Sequence, residues 1–368
     1  MLQFRWARKG PLGIVLVLVP TLLFLKALLA NPNWTDRSIH KVLRFDPTQL
    51  DLNSPEAKKD LCKRHNWKPF SPRNRQSRRR VYDLVMVNTE LEWLEIRLNT
   101  TYDHVDYFII VESPKTFTNR DKPLIVKKNL QKLDAYRDKI IYHQLEIPEG
   151  FHSHRANPAW AWEDLQRNAM YDQALVRLED SQAPVLGDVI IVADVDEIPR
   201  PETIAILKAC DFPVRVNLRS RFYYYSFQFR HKGVDWAHPQ ATYYRGSETI
   251  LPVNLRNSDG GIQPLIKLDT ADLWNAGWHC SSCFSTIEEL RTKLSSFSHQ
   301  WMNAEEYRNR DRIASYIRQG KDLWDRVGEV YNRIDNNQDV PKILLDQRER
   351  FSHLLDRDGP NAGFKDYP

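Results

Sequence analysis

From Val81 the chain reads V-Y-D-L-V-M-V, then the helix-period segment E-L-E-W-L-E-I-R-L, and the apolar runs recur as Y-F-I-I-V-E-S from Tyr107 and I-I-Y-H-Q-L from Ile140. Trp160 to Leu178 carries Leu165, Ala169 and Val176 near helical spacing, and the apolar run D-V-I-I-V-A-D follows from Asp188. Short, almost wholly apolar strands separated by amphipathic helices are the pattern of an α/β domain with a mixed, mostly parallel central sheet buried on both faces. After Pro201 a helix to Cys210 leads into V-R-V-N-L, R-F-Y-Y-Y-S-F-Q-F-R and A-T-Y-Y-R, which predict strands in a more mixed second half. From Ile287 the pattern turns helical, and the residues after Asn336 read as a partly ordered extension.

The N-terminus changes the picture. Pro11 to Ala30 is a stretch of twenty residues with Lys26 its only charge, and as a helix it spans about 30 Å, a bilayer's hydrocarbon thickness. Arg5, Arg8 and Lys9 precede it, so the positive-inside rule predicts a single-pass type II anchor with the remainder lumenal. A cleaved signal peptide fits less well, because Leu28 and Ala30 make a poor cleavage site. The expected organisation is a cytoplasmic tail (1–10), a transmembrane anchor (11–30), a stem (31–80), a catalytic domain (81–335) and a C-terminal extension (336–368). Asn33 in N-W-T and Asn99 in N-T-T are glycosylation acceptors suited to a lumenal chain.

Charge adds little. The net +5 is matched by the five arginines between Arg73 and Arg80, which read as a solvated linker, and no nucleic-acid partner is expected. The four cysteines, Cys62, Cys210, Cys280 and Cys283, leave the pairing open. Cys280-Ser-Ser-Cys283 lacks a second pair at zinc-finger spacing and reads as a structural disulfide or buried pair.

The chemistry gathers at Asp194-Val195-Asp196-Glu197, where a buried strand ends in carboxylates. Alternation along an extended segment puts Asp194 and Asp196 on one side, and in open α/β sheets the ligand crevice lies beyond the carboxyl ends of the strands. Two adjacent carboxylates repel unless a proton or a hard cation such as Mn²⁺ or Mg²⁺ sits between them. Such a cation suits sugar transfer from a nucleoside diphosphate, whose leaving group gains negative charge.

Several blocks in order, V-Y-D-L-V-M-V-N-T-E-L-E-W-L-E-I-R-L, V-D-Y-F-I-I-V-E-S, A-D-V-D-E-I-P and A-G-W-H-C-S-S-C-F, make the region from Val81 to Trp324 resemble glycosyltransferase family 17. The resemblance implies a GT-A-like nucleotide-sugar transferase fold, UDP-GlcNAc as donor, a divalent metal, inversion at the anomeric carbon, a mannose-containing N-glycan of a glycoprotein as acceptor and a Golgi membrane location. It places metal and diphosphate binding on Asp194, Asp196 and the adjoining Glu197. Asn88, Glu90 and Glu112, at the ends of the first two strands, are candidates for the nucleotide; capping and core-edge hydrogen bonding is their alternative role. His279 is the candidate further metal ligand, with His299 competing. For the base that accepts the acceptor's proton, Asp269 and Asp272 are candidates, beside Asp235 and Glu248. Phe222 to Phe229 offers aromatic faces for sugar rings or for the core. Arg230 to Leu265 matches nothing in the family, so acceptor choice stays open, as do transfer of another sugar and a non-catalytic glycan-binding role.

Overall fold

The computed structural model describes residues 41–71, 78–152 and 157–368, and His40–Pro368 forms one unit. The expected anchor, the tail and Asn33 lie outside the described residues, among which no helix is long and apolar enough to cross a membrane.

Four parallel strands open the sheet: β1 (Val81–Val87), β2 (Tyr107–Glu112), β3 (Ile140–Gln144) and β4 (Val189–Asp194), with β1 central between β2 and β4. All seven residues of β1 and the first five of β4 are buried, because helices cover both faces. α2 (Leu91–Thr101) packs in the cluster on one face, and residues near the end of α3 (Pro158–Ala169) in the cluster on the other.

The second half is mixed, as expected, and makes antiparallel pairs outnumber parallel ones in a sheet expected to be mostly parallel. β5 (Glu197–Pro199), β6 (Arg215–Tyr224), β7 (Ser226–His231), β8 (Gln240–Tyr243), β9 (Thr270–Ser281) and β10 (Tyr331–Arg333) complete ten strands in the order β10-β7-β6-β8-β4-β1-β2-β3, with β9 against β5 and β6. β8 runs antiparallel to both β4 and β6, and β7 antiparallel to β6 and β10. Among the described strands of this half, β6 and β9 alone pair in parallel. The physical reason is connection length: a one-residue link at Tyr225, whose φ of 65° makes a tight reversal, can join only antiparallel neighbours.

The expected stem is part of the fold over its described residues, 41–71 and 78–80. α1 (Pro55–Lys63) is tied to the domain by the Cys62–Cys210 disulfide, and Lys68–Pro69 pairs with Cys210–Asp211. Of the arginine run, Arg79 is buried rather than solvated, donating to the carbonyls of Gly187 (2.6 Å), Leu207 (2.8 Å) and Cys210 (2.6 Å). Arg80 pairs with Asp188 at 3.1 Å. The residues after Asn336, expected to be partly ordered, bury Phe351, Leu354, Arg357 and Phe364. Cys280 and Cys283 form the second disulfide.

Candidate active site

A cavity of about 500 Å³ opens beyond the carboxyl ends of β1 and β4. Asn88 and Glu90 enter it from the end of β1, Asp194 and Asp196 from the end of β4, and His279 from β9. Alternation is not what brings the two acids together: β4 stops at Asp194, and Val195–Asp196 form a turn before β5. Arg97, on α2, pins that turn from behind. Fully buried and paired with Asp83 at 2.6 Å, it also donates to the carbonyls of Glu197 (2.6 Å) and Asp194 (3.3 Å).

The acids are not alike. Asp194, with a third of its side chain open, accepts from Arg167 Nη1 at 2.9 Å on Oδ1 and from Arg256 Nη2 at 2.7 Å on Oδ2. Burial pushes its carboxyl up, but the two guanidinium groups outweigh that and hold it below the usual carboxylate range. Glu197 is fully buried and does not line the cavity. Its Oε1 accepts from Trp236 Nε1 (2.7 Å) and Arg256 Nη2 (2.8 Å), and its Oε2 from Arg256 Nη1 (2.8 Å) and the Asp194 backbone N–H (2.9 Å). Here too burial opposes ionisation and Arg256 prevails, leaving the carboxyl well below its ordinary range.

Asp196, largely buried, has a looser shell: Lys293 Nζ at 3.4 Å from Oδ2 and His279 Nδ1 at 3.7 Å from Oδ1. Burial lowers the Lys293 ammonium's pKa, but Asp196 and Glu90 more than reverse this. His279 is held in a cluster of three rings, stacking with Phe222 at 5.1 Å and Trp236 at 4.9 Å. His238, beside Trp236, is pushed down to about 4 by burial, with Arg256 adding to the effect.

These partners decide how the expected metal ligands fit a divalent cation. Among the described residues no group of three or more His, Cys, Asp or Glu side chains is placed to hold a metal ion. Every oxygen of Asp194 and Glu197 is engaged by an arginine. Asp196 and His279 are the pair with ligand atoms left to offer: among the described residues Asp196 meets no arginine, and the His279 Nδ1–H donates to the Asp196 carbonyl at 3.3 Å, which leaves Nε2 as the acceptor nitrogen, as in metal-ligating histidines. Two protein ligands completed by phosphate oxygens are a usual set for Mg²⁺-type ions.

The other candidates lie elsewhere. Glu112 is buried and outside the cavity; its carboxylate accepts from the Val126 (2.9 Å) and Lys127 (3.1 Å) backbone and from Tyr142 (2.9 Å), so it caps a short helix. Asp269 ends the helix Gln263–Leu268, and Asp272 pairs with Arg219 (3.0 Å) and Asn217 (2.9 Å). Asp272 lies near the start of β9 and Asp269 just before it, seven and ten residues ahead of His279, and neither lines the cavity. Asp235 and Glu248 are likewise outside it, paired with arginines. His299 does line it, stacked on Phe297 at 4.8 Å.

The cations were missed by sequence reading. Arg167 stands one turn after Glu163 on α3, whose start is set by the Asn157 cap and Pro158. Arg256 ends the short helix Pro252–Arg256. Lys293 lies on the helix Ile287–Ser296, opened by a reciprocal Thr286–Glu289 capping box.

The family model of glycosyltransferase family 17 matches residues 44–358. The chain belongs to this family. It is 28% identical over 317 residues to the human β-1,4-mannosyl-glycoprotein 4-β-N-acetylglucosaminyltransferase, covering 77% of this chain and 56% of that protein. The rat protein of the same name is also 28% identical, with 55% of its length covered. This family 17 chain thus spans about half the length of the curated relatives it matches. A mannosyltransferase from Pyrobaculum calidifontis, solved with GDP-Man and Mn²⁺, is 15% identical over 54% of each chain at a TM-score of 0.25, too remote to inform the fold or the site.

Proposed function

We propose that this chain transfers N-acetylglucosamine from UDP-GlcNAc to a mannose of a glycoprotein N-glycan, by a single in-line displacement that inverts the anomeric carbon, on a GT-A-like scaffold. The observation that carries the reading is the cavity beyond β1 and β4, where Asp194 and Asp196 meet Arg167, Arg256 and Lys293. The names of the family 17 relatives supply donor and acceptor.

In this reading Asp196 and His279 would hold a divalent cation, Mn²⁺ or Mg²⁺, which as a Lewis acid would stabilise charge on the departing diphosphate. Lys293, only loosely bound to Asp196, turns its remaining N–H groups to the phosphates. Arg256 and Arg167 hold Asp194 ionised and still, so that it accepts ribose or diphosphate-bound water contacts without reorganising. Asn88 and Glu90 line the nucleotide side, and Phe222, at the cavity wall, offers a ring face to a sugar. The two disulfides suit an oxidising compartment. With Pro11–Ala30 as a type II anchor, the catalytic domain stands in the Golgi lumen.

The test is transfer from UDP-GlcNAc to a mannose-bearing N-glycopeptide, read by mass spectrometry, with other UDP- and GDP-sugars in parallel. Chelation is expected to abolish turnover and added Mn²⁺ to restore it, while Asp196→Ala lowers kcat/KM by ~10²–10³-fold. Absence of turnover with every donor, or full activity in that variant, counts against the assignment.

A further inference from the structure

Polar side-chain atoms buried without a hydrogen-bond partner are uncommon in folded proteins, and each calls for a reason. Among the described residues, four such atoms belong to side chains that line this one cavity: Asn88 Oδ1, Glu163 Oε2, Ser298 Oγ and His299 Nδ1. An apolar ligand would leave all four unsatisfied. A polyhydroxylated ligand satisfies them, since each hydroxyl both donates and accepts.

Glu163 is the unusual member, because a buried carboxylate oxygen without a donor is the most expensive of the four. Its side chain is 12% exposed, and its Oε1 accepts from Arg167 Nη2 at 2.8 Å. The same guanidinium donates from Nη1 to Asp194 Oδ1 at 2.9 Å. One planar fork therefore fixes Glu163 relative to the strand-end acid and keeps the two carboxylates apart. None of the other acids lining the cavity has a buried oxygen without a partner: both Asp194 oxygens accept from arginines, Asp196 pairs with Lys293 at 3.4 Å, Glu90 Oε2 accepts from the Asn88 (3.2 Å) and Thr89 (2.9 Å) backbone, and Glu329 pairs with His231 at 3.1 Å. His299 is fixed edge-on against Trp160 at 4.9 Å and stacked on Phe297, and burial pushes its pKa down.

Resting on the transferase reading above, we propose that Glu163 is the general base of the reaction and that its unpartnered Oε2 receives the acceptor hydroxyl. The acceptor O–H bond breaks and its proton passes to Oε2. The oxygen's electron pair forms the new bond to the anomeric carbon. The bond from that carbon to the diphosphate oxygen breaks, with its pair leaving on the nucleoside diphosphate. Glu163 then returns the proton to water after product release. Arg167 is a positioning residue: it holds Oε1 and leaves Oε2 without a protein partner.

The experiment compares Glu163→Gln, Glu163→Asp and His299→Asn in the full chain, with UDP-GlcNAc, Mn²⁺ and a mannose-bearing N-glycopeptide. Glu163→Gln is expected to lose ~10²–10⁴-fold in kcat, with donor KM and calorimetric UDP affinity within about threefold of the parent. Glu163→Asp, which keeps a carboxylate, recovers at least about tenfold of that loss, and His299→Asn keeps more activity than Glu163→Gln. If the parent protein turns over no UDP-GlcNAc, the transferase reading fails. If the parent is active and Glu163→Gln retains more than about a tenth of its kcat, the base assignment alone is overturned. It is overturned as well if the Gln change raises donor KM at constant kcat, or if both Glu163 variants lose UDP binding, which marks a structural role.

Discussion

At the scale of single residues, the site is governed by counter-charge. Arg256 touches Glu197 through both terminal nitrogens and Asp194 through one, and burial pushes both acids toward neutrality while Arg256 opposes it. Arg256→Met leaves the fully buried Glu197 without its counter-charge and Asp194 with Arg167 alone, and urea denaturation is expected to show a loss of about 3–5 kcal/mol. Arg256→Lys keeps the charge but not the fork and falls between. The same arginine helps hold His238 down at about 4, below its ordinary 6.5. Between those values the unfolded chain binds a proton that the folded chain does not, so stability falls as pH drops from 6.5 to 4. Asp194 and Glu197, whose folded pKa values are depressed, add stability above the usual carboxylate range and lose it as pH falls through their folded values. His238→Gln is therefore expected to flatten the decline in urea midpoint between pH 6.5 and 4.5, and an unchanged slope would refute it. The acids were legible in the sequence because they interrupt an apolar run at a strand end. Their arginines were not: Arg256 lies in a segment without apolar rhythm, and only tertiary contact couples it to Glu197.

At the scale of elements, strands proved more readable than their directions. Continuous burial makes β1 and β4 plain in V-Y-D-L-V-M-V and D-V-I-I-V-A-D, whereas nothing in the F-Y-Y-Y-S-F-Q-F run says that β6 turns back at Tyr225. That run divides by side: Phe222 and Tyr224 line the cavity, while Tyr223 and Phe227 join the main core. Glu112 shows the limit of position alone, for it stands at a strand end as expected yet spends its oxygens on the helix that follows. β9 carries His279 because it wedges between β5 and β6, and Gly277 permits the wedge. A Cβ there would meet the Ile198 carbonyl at 2.5 Å and Ser220 Oγ at 2.8 Å. Gly277→Ala is expected to cost about 1–3 kcal/mol by thermal or urea unfolding. Because His279 is two residues on, the variant also loses Mn²⁺-dependent turnover at temperatures where it stays folded; full turnover there would show that β9 accommodates the methyl elsewhere.

For the whole molecule, the domain's borders are wider than apolar rhythm suggests. A stretch rich in Pro, Asn, Lys and Arg reads as a tether, yet Val42 donates its N–H to the Trp274 carbonyl at 2.7 Å, Cys62 is bonded to Cys210, and Arg79 stacks on Phe70 at 3.9 Å while satisfying three carbonyls. The far end behaves alike. Arg357, pushed down to about 9 by burial and so still charged at neutral pH, donates to the carbonyls of Tyr225 (2.8 Å), Phe284 (2.7 Å) and Ala362 (3.0 Å). These segments are polar by count but hold the sheet through buried guanidinium groups, a form of core that hydrophobic patterning does not register. A chain begun at His40 is thus expected to unfold in one cooperative transition. One begun at Val81 forfeits the Cys62–Cys210 link, itself worth about 2–5 kcal/mol, together with the Arg79 contacts, and melts at lower temperature or fails to fold. Ending the chain at Asp335 removes Arg357 and exposes Phe284 and Tyr225, so it too is expected to lose the transition. Circular dichroism melts of the three separate the possibilities: equal midpoints for the His40 and Val81 starts would mean that the segment before β1 is a tether after all, whereas a drop confined to the shorter chains makes both flanks part of the domain's frame.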